Sequence, residues 1–150
     1  GTLRKGYNIK ELIDLIGQII DSEEGINVAV VGIGNLGRAI TNYFSGKRTK
    51  LSITAVFDVD KAKVGKKYHG IECFSLDDLS KIIKQKKIEI AIMTVPGEEA
   101  PNVAELLVNA GIKGILNYTP KPVNVPKEVY LEEYDMITSL EKVAFFVKTH

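Results

Sequence analysis

At 150 residues, with 45% apolar and 26% charged side chains, the chain has the proportions of one globular domain and none of the bias of a fibrous or disordered one. Twenty basic against nineteen acidic residues leave a formal charge of +1, which excludes a domain that grips nucleic acid through a basic surface of its own. No apolar stretch approaches the roughly 20 residues that cross a bilayer, and the basic, polar N-terminus has no secretory pattern, so a soluble cytoplasmic protein without a membrane partner is expected.

Asn8 with Glu11 predicts a capped start to a helix whose broad apolar face carries Leu12, Ile13, Leu15, Ile16, Ile19 and Ile20. Val28-Ala29-Val30-Val31 then reads as a short buried strand that breaks into Gly32-Ile33-Gly34-Asn35-Leu36-Gly37, a G-x-G-x-x-G turn. Leu36, Ala39, Ile40, Tyr43 and Phe44 repeat at helical spacing, which completes strand, turn and helix. In such a unit Gly32 permits the turn, Gly34 leaves room for a pyrophosphate against the backbone, and Gly37 lets the helix approach the strand. The helix opening near Leu36, with Asn35 just before it, offers unpaired N–H groups and a positive dipole end to phosphate.

After a loop over Gly46 to Lys50, Leu51 to Phe57 predicts a second strand that delivers Asp58 twenty-one positions after Gly37. A carboxylate there accepts from both hydroxyls of an adenosine ribose and repels a 2′-phosphate, so the fingerprint predicts NAD and NADH rather than their phosphorylated counterparts. The plainer alternative is that Asp58 only caps a strand end in a turn with Asp60. The lysines at 61, 63, 66 and 67 either edge an adenine pocket or belong to a solvated loop.

Ile71 to Phe74 predicts a short strand holding Cys73, read as a small core residue. It has no disulfide partner, and no cysteine or histidine stands at metal-ligand spacing, so no metal is expected. A helix is predicted from about Leu76 to Lys86, capped near Ser75 and ending in lysines that suit its dipole. Ile88 to Val95 follows as a central strand stopped by Pro96. Ala100 to Ala110 is the next helix, with Pro101 in its first turn and Gly111 as its stop. Gly114 to Asn117 is another buried strand, and Thr119-Pro120-Lys121-Pro122 breaks the pattern. Tyr130 to Ile137 predicts a last strand, and Thr138 or Ser139 caps a terminal helix. Strands alternating with helices imply an α/β, Rossmann-type doubly wound, mostly parallel sheet. In the terminal helix Ile137, Leu140, Val143, Ala144, Phe146 and Val147 cover more than half the circumference and Phe145 extends it. Such a helix needs two surfaces to bury against, and packing on a second copy of the chain is favoured over burial within one monomer.

Several segments together resemble the C-terminal domain of the Rex family, bacterial redox-sensing transcriptional repressors. They are Lys5-Gly6-Tyr7-Asn8-Ile9, the Gly32 to Gly37 turn, Phe57-Asp58-Val59-Asp60 with Lys63-Val64-Gly65, Thr94-Val95-Pro96, and Ala110 through Pro120. Asn124-Val125-Pro126 and Tyr134-Asp135 carry the likeness almost to the end. Gly111 to Pro120 is the most specific part, because a generic dehydrogenase fingerprint does not predict it.

The resemblance implies a homodimer in which each nucleotide domain binds NADH or NAD⁺, the ratio setting the geometry of paired winged-helix domains on operator DNA. It implies an NAD(H)-binding domain over 1–136 and a dimerisation helix over 137–150, swapped between subunits and inserted near the partner's cofactor. The winged-helix domain lies outside this chain, so operator DNA would be a partner only through it. By position, cofactor contacts fall on Gly32, Gly34, Asn35, Leu36, Gly37, Asp58, Thr94, Val95, Pro96, Asn117 and Tyr118. Tyr43 stands where the family has a tyrosine on the first crossover helix, and Asp135 where it has an aspartate from the other subunit; the two meet in one redox state and part in the other. Met136 stands where an aromatic lies beside nicotinamide, and Phe146 sits on the swapped helix. Without the resemblance, Tyr43 reads as a core tyrosine on a helix face and Asp135 as a strand-end aspartate. An apolar site around Val95, Pro96 and Tyr118 would penalise the cationic, oxidised ring through desolvation.

Two other readings stand beside this one: a coenzyme A-binding domain of the same architecture, and a fragment of an NAD-dependent oxidoreductase. The second lacks a credible acid–base group, since His69 falls in a loop and His150 is the last residue, so no catalytic residue is expected.

Overall fold

The computed structural model describes residues 9–11, 13–14, 25–45 and 50–150. Residues 9–11 and 13–14 are helical, in line with the expected first helix; its Asn8, Leu12, Leu15, Ile16, Ile19 and Ile20, and 46–49 of the following loop, lie outside the described residues.

The apolar run before the glycines forms β1 (Ile26–Val31), the glycine turn leads into α1 (Asn35–Phe44), and β2 (Leu51–Asp58) lies parallel to β1. β3 (Lys67–Tyr68) and β4 (Ile71–Ser75) make an antiparallel hairpin, and β4 pairs in parallel with β2. Then come α2 (Leu79–Gln85), β5 (Ile88–Met93), α3 (Ala100–Asn109), β6 (Gly114–Asn117), β7 (Tyr130–Glu133) and α4 (Met136–Thr149). The strands join in the order β3-β4-β2-β1-β5-β6-β7, parallel except for the β3–β4 pair, which is the doubly wound sheet that the alternation implies. From β1 the chain builds outward through β2 and β4, then returns to lay β5 on the other side of β1. The winding reverses there, and the crevice it leaves lies at the C-terminal ends of β1 and β5, where the glycine turn sits.

Alternate residues of the central strands feed two cores. Ala29, Val31, Ala55, Phe57, Ala91, Met93 and Ile115 pack with Leu79, Ile82 and Ile83 of α2 and Val103, Ala104 and Leu107 of α3. Val28, Val30, Val56, Cys73 and Ile92 form the second core with Ile33, and Ile40 of α1 packs against it. Each fully buried aliphatic side chain of this kind contributes about 1.5–3 kcal/mol through removal from water. The second core is the less completely covered: Ile53, Ile90 and Leu116 remain half-exposed on it. A bulge in β2 sets these faces. Val28 and Ala29 lie opposite Ile53 and Ala55, Thr54 is the extra residue, and its hydroxyl is buried without a hydrogen-bond partner among the described residues.

Several expectations change, and the central strand stops at Met93 rather than Val95. The helix over Leu76 to Lys86 divides into a 3-10 turn at Leu76–Asp78 and α2, because the Ser75 hydroxyl accepts the Asp77 N–H at 3.1 Å and tightens the first turn. The segment 67–70, read as a loop, holds β3 and its hairpin turn, where His69 (φ 52°) and Gly70 (φ 81°) supply two successive left-handed conformations. The last strand ends at Glu133 rather than Ile137, and the cap is Asp135 rather than Thr138 or Ser139. Its carboxylate accepts the N–H groups of Ile137 (3.0 Å) and Thr138 (3.2 Å), so α4 begins at Met136. The strand-end reading of Asp135 falls with it. Elsewhere Pro101 does fall in the first turn of α3, and Gly111 closes that helix with the Ile112 N–H reaching Leu107 O at 3.1 Å.

Candidate functional site: a cleft at the glycine turn

The turn is held by hydrogen bonds from β2 and from Thr94, just past β5. Gly32 N–H donates to Phe57 O of β2 at 2.8 Å, Thr94 N–H donates to Val31 O at 2.8 Å, and the Thr94 hydroxyl donates to Gly32 O at 2.5 Å. Gly32 adopts φ +97°, and a Cβ there would press on the Thr94–Val95 peptide at 2.8 Å. A Cβ on Gly37 would collide with the Gly32 carbonyl oxygen, so α1 lies on the turn as closely as the sequence implies. Gly34 differs from both: a Cβ there would meet nothing within 4 Å. The space beside it is open, with no group of the described residues in it.

Gly34 is also the N-cap of α1 and supplies no side-chain cap, and the first turn carries no acidic residue. The leading N–H groups of a helix have no intrahelical acceptor, so those of Asn35 and Leu36, both exposed, are free to meet an anion.

Asp58 ends β2 and is 8% exposed. Its Oδ2 accepts the Ile33 N–H of the glycine turn at 2.8 Å, and its Oδ1 accepts the Asp60 N–H at 2.8 Å. The turn-capping reading is therefore correct as far as it goes, and the same carboxylate also braces the glycine turn. An ionised carboxylate has about four acceptor positions, so capacity remains for a ligand diol. Lys63 Nζ stands 3.9 Å from Oδ2. Behind them, burial above all, with the negative Asp58 adding to it, pushes the Cys73 thiol up to about 11, which keeps it a protonated core group.

Gly32, Gly34, Asp58, Val59, Lys63, Thr94, Val95, Pro96 and Glu99 line one cleft of about 360 Å³. Six of these were candidates from the sequence, and Lys63 had been placed at its edge. Val59 and Glu99 had not been singled out. Val59 directly follows the strand-ending aspartate, and Glu99 stands three residues past the strand-stopping proline, so in each case position relative to a known marker was the available signal.

Asn117 and Tyr118 lie elsewhere. The buried Asn117 amide donates to Lys121 O (2.9 Å) and Glu133 Oε2 (3.0 Å), while its oxygen accepts the Thr119 N–H (2.9 Å). It ties the loop after β6 to the end of β7, just before Asp135. That loop also lies against the segment after the cleft's Pro96, with Pro120 and Lys121 beside Gly97. Tyr118 pairs with Tyr134, ring centroids 4.8 Å apart, and lines a second hollow of about 350 Å³ with Ala39, Ile40, Tyr43, Phe44, Ile92 and Leu116. An adjoining hollow, lined only by apolar residues, shares Phe44, Ile92 and Leu116. These hollows mark the incompletely covered core. Tyr43 is 63% exposed at their rim, so it is not the core tyrosine that its helical spacing alone suggested.

Asp135, Met136 and Phe146 belong to α4 and its cap and line neither the cleft nor the two hollows. Thr138, through its hydroxyl first and then its N–H, holds the Asp135 carboxyl below its ordinary range. Neither histidine nor cysteine lines the cleft: His69 is in the β3–β4 turn, and the His150 ring stacks on Phe146 at the end of α4. Among the described residues no group of histidine, cysteine and acidic side chains is arranged to hold a metal, and no helix is long and apolar enough to cross a membrane.

Residues 23–121 match the family described as CoA binding domain. Over 145 residues the chain is 37% identical to the redox-sensing transcriptional repressor Rex of Listeria welshimeri, covering 97% of this chain and 67% of that protein. Among solved structures it is similar to RSP, a Rex-family repressor, in complex with β-NAD⁺ and operator DNA: TM-score 0.83, 33% identity, 96% of this chain and 66% of that one. RSP in complex with β-NADH gives TM-score 0.79 and 33% identity, over 96% of this chain and 70% of that one. The chain thus spans about two thirds of the length of these relatives, which are named as repressors and not as enzymes. It belongs to the Rex family of redox-sensing transcriptional repressors.

Proposed function

We propose that this chain is the NAD(H)-binding and dimerisation part of a Rex-type repressor, reading the NADH to NAD⁺ ratio. The observation that carries the proposal is the cleft, where a glycine turn, an open helix N-terminus and a carboxylate with spare acceptor capacity converge. Asp58 receives the adenosine ribose diol and disfavours a 2′-phosphate. The N–H groups at Asn35 and Leu36 receive the pyrophosphate in the space left by Gly34, and buried Gly37 keeps the helix close. Thr94, Val95 and Pro96 form the opposite wall. The nicotinamide extends towards Asn117 and Tyr118, and its ring is neutral when reduced and cationic when oxidised.

Sensing requires that the two forms differ in affinity for two arrangements of the dimer, a coupling of about 1–3 kcal/mol in typical systems. The second hollow supports the dimer. It is apolar, has Tyr43 at its rim, and matches in character the unburied face of the terminal helix. Residues 137–150 of a second copy fill it, bringing that copy's Asp135, Met136 and Phe146 to Tyr43 and the nicotinamide. Residues 1–136 form the nucleotide domain. Operator DNA is met through a winged-helix domain outside this sequence, in the cytoplasm.

Coenzyme A is disfavoured by the same carboxylate, because its 3′-phosphate would replace a ribose hydroxyl and meet the charge of Asp58. Calorimetry with NADH, NADPH and coenzyme A tests the reading, with NADH expected to bind tightest. Asp58→Ala should weaken NADH binding at least roughly tenfold, as loss of hydrogen bonds to a charged group does. Tightest binding of coenzyme A, or unchanged NADH affinity in Asp58→Ala, overturns it.

A further inference from the structure

We infer that Glu133 is a positioning residue of the switch: it clasps the loop after β6 to the root of α4, so that a ligand-driven shift of that loop reaches the dimerisation helix. The inference rests on the sensor reading above, in which α4 meets a second copy.

β6 and β7 end side by side, with Asn117 opposite Glu133. The Asn117 amide donates to Glu133 Oε2 at 3.0 Å, the Tyr134 N–H donates to Asn117 O at 2.9 Å, and the Tyr118 ring packs on Tyr134. Glu133 Oε2 also accepts the Val123 N–H at 3.2 Å, and Val123 is buried in the core that α2 and α3 cover. One carboxylate oxygen thus holds both ends of the loop from 117 to 123. Inside the loop Asn117 secures Lys121 and Thr119, and the Thr119 hydroxyl donates to Lys121 O at 3.1 Å. Pro120 and Lys121 lie beside Gly97, which directly follows the cleft's Pro96. On the other side of the clasp, only Tyr134 separates Glu133 from Asp135, whose carboxylate caps α4. Glu133 is otherwise exposed and does not line the cleft. Coupling between two sites needs an element that both of them bias. The loop and the end of β7, joined through Glu133, meet the segment after the cleft at one end and the root of the helix at the other.

The test is Glu133→Ala in the full chain, read by small-angle scattering of the dimer with NADH and with NAD⁺, alongside thermal melting and NADH affinity. The variant should stay dimeric and bind NADH within about threefold of the parent, because no ligand group is lost. The difference between its two scattering profiles should nevertheless fall to less than about half. Glu133→Gln, whose amide oxygen can accept both N–H groups, should retain most of the difference, a recovery that a role in stability alone does not require. Should Glu133→Ala fail to fold, Glu133→Asp, a methylene too short to reach both donors, takes its place with the same expectation. A full parental difference in the alanine or aspartate variant overturns the assignment and leaves the sensor reading intact. So does a glutamine variant that behaves like alanine, or an alanine variant whose NADH affinity falls by more than about threefold, which places Glu133 at the ligand. Identical profiles for the unmodified chain in its two ligand states, or an unmodified monomer, overturn the sensor reading and this inference with it.

Discussion

The glycine turn and the terminal helix are both short apolar segments beside polar chain, yet they are satisfied in opposite ways. Around the turn, Phe57 and Asp58 of β2 and Thr94 just past β5 take up its backbone groups, and Ile33 is fully buried. Along α4 no residue is buried, and Ile137, Leu140, Val143, Phe145, Phe146 and Val147 keep between 59% and 71% of their surface in contact with solvent. The first region is completed by its own sheet. The second is tied to the chain before it through the Asp135 cap. A ligand site needs preorganised groups, and one chain supplies them here. A switch element needs two alternative surroundings, and a helix that leaves its large apolar residues exposed is suited to that.

The sharpest way to break the comparison is to spoil the preorganised side. Gly37→Ala drives a methyl group into the Gly32 carbonyl and should cost about 3 kcal/mol of stability, the range for forced overpacking against backbone. Chemical denaturation reads it, and an unchanged midpoint would mean the turn is looser than its hydrogen bonds suggest. A charged pair on the other side, Leu140→Asp with Phe146→Asp, should leave the melting of the separated monomer within about 0.5 kcal/mol, as for surface positions. It should instead shift sedimentation from dimer to monomer. A monomer at micromolar concentration before any change would remove the second copy from the proposal.

Subtler effects sharpen the contrast. Tyr43→Phe removes a hydroxyl at the rim of the second hollow and should leave NADH affinity largely intact while altering the NADH-dependent change in dimer scattering. Identical scattering profiles for variant and parent in both ligand states would count against the role. The smallest effect is expected from acid. The Asp135 carboxyl lies below its ordinary range because Thr138 bonds its charged form, so the cap contributes above that range and is lost as pH falls through the lowered value. Helix content by circular dichroism should fall slightly there, and Asp135→Ala should abolish that step.

Much of the nucleotide cleft is legible in the chain because it depends on local order. An apolar strand, three spaced glycines and a strand-ending aspartate fix a turn whose geometry follows from backbone sterics and from the parallel neighbour that must carry the aspartate. The apolar excess of the last helix is equally visible, since it needs only a count of side chains around a circle. What the sequence could not place are features decided between segments. Asn117 looks like a strand-end residue near a ligand, but distant Glu133 and the turn after it consume its amide. Asp135 reads as the end of a strand until pairing with β6 stops at Glu133 and frees the carboxylate to cap a helix. Val59 and Glu99 come to line one cleft only when β2 and β5 are brought to either side of β1. The sequence by itself determined the fold class, the turn and the apolar tail, because each follows from spacing along one segment. Tertiary structure alone decided which polar groups are already spent within the protein and which stay open to a ligand, because a hydrogen bond between distant segments leaves no periodicity in either.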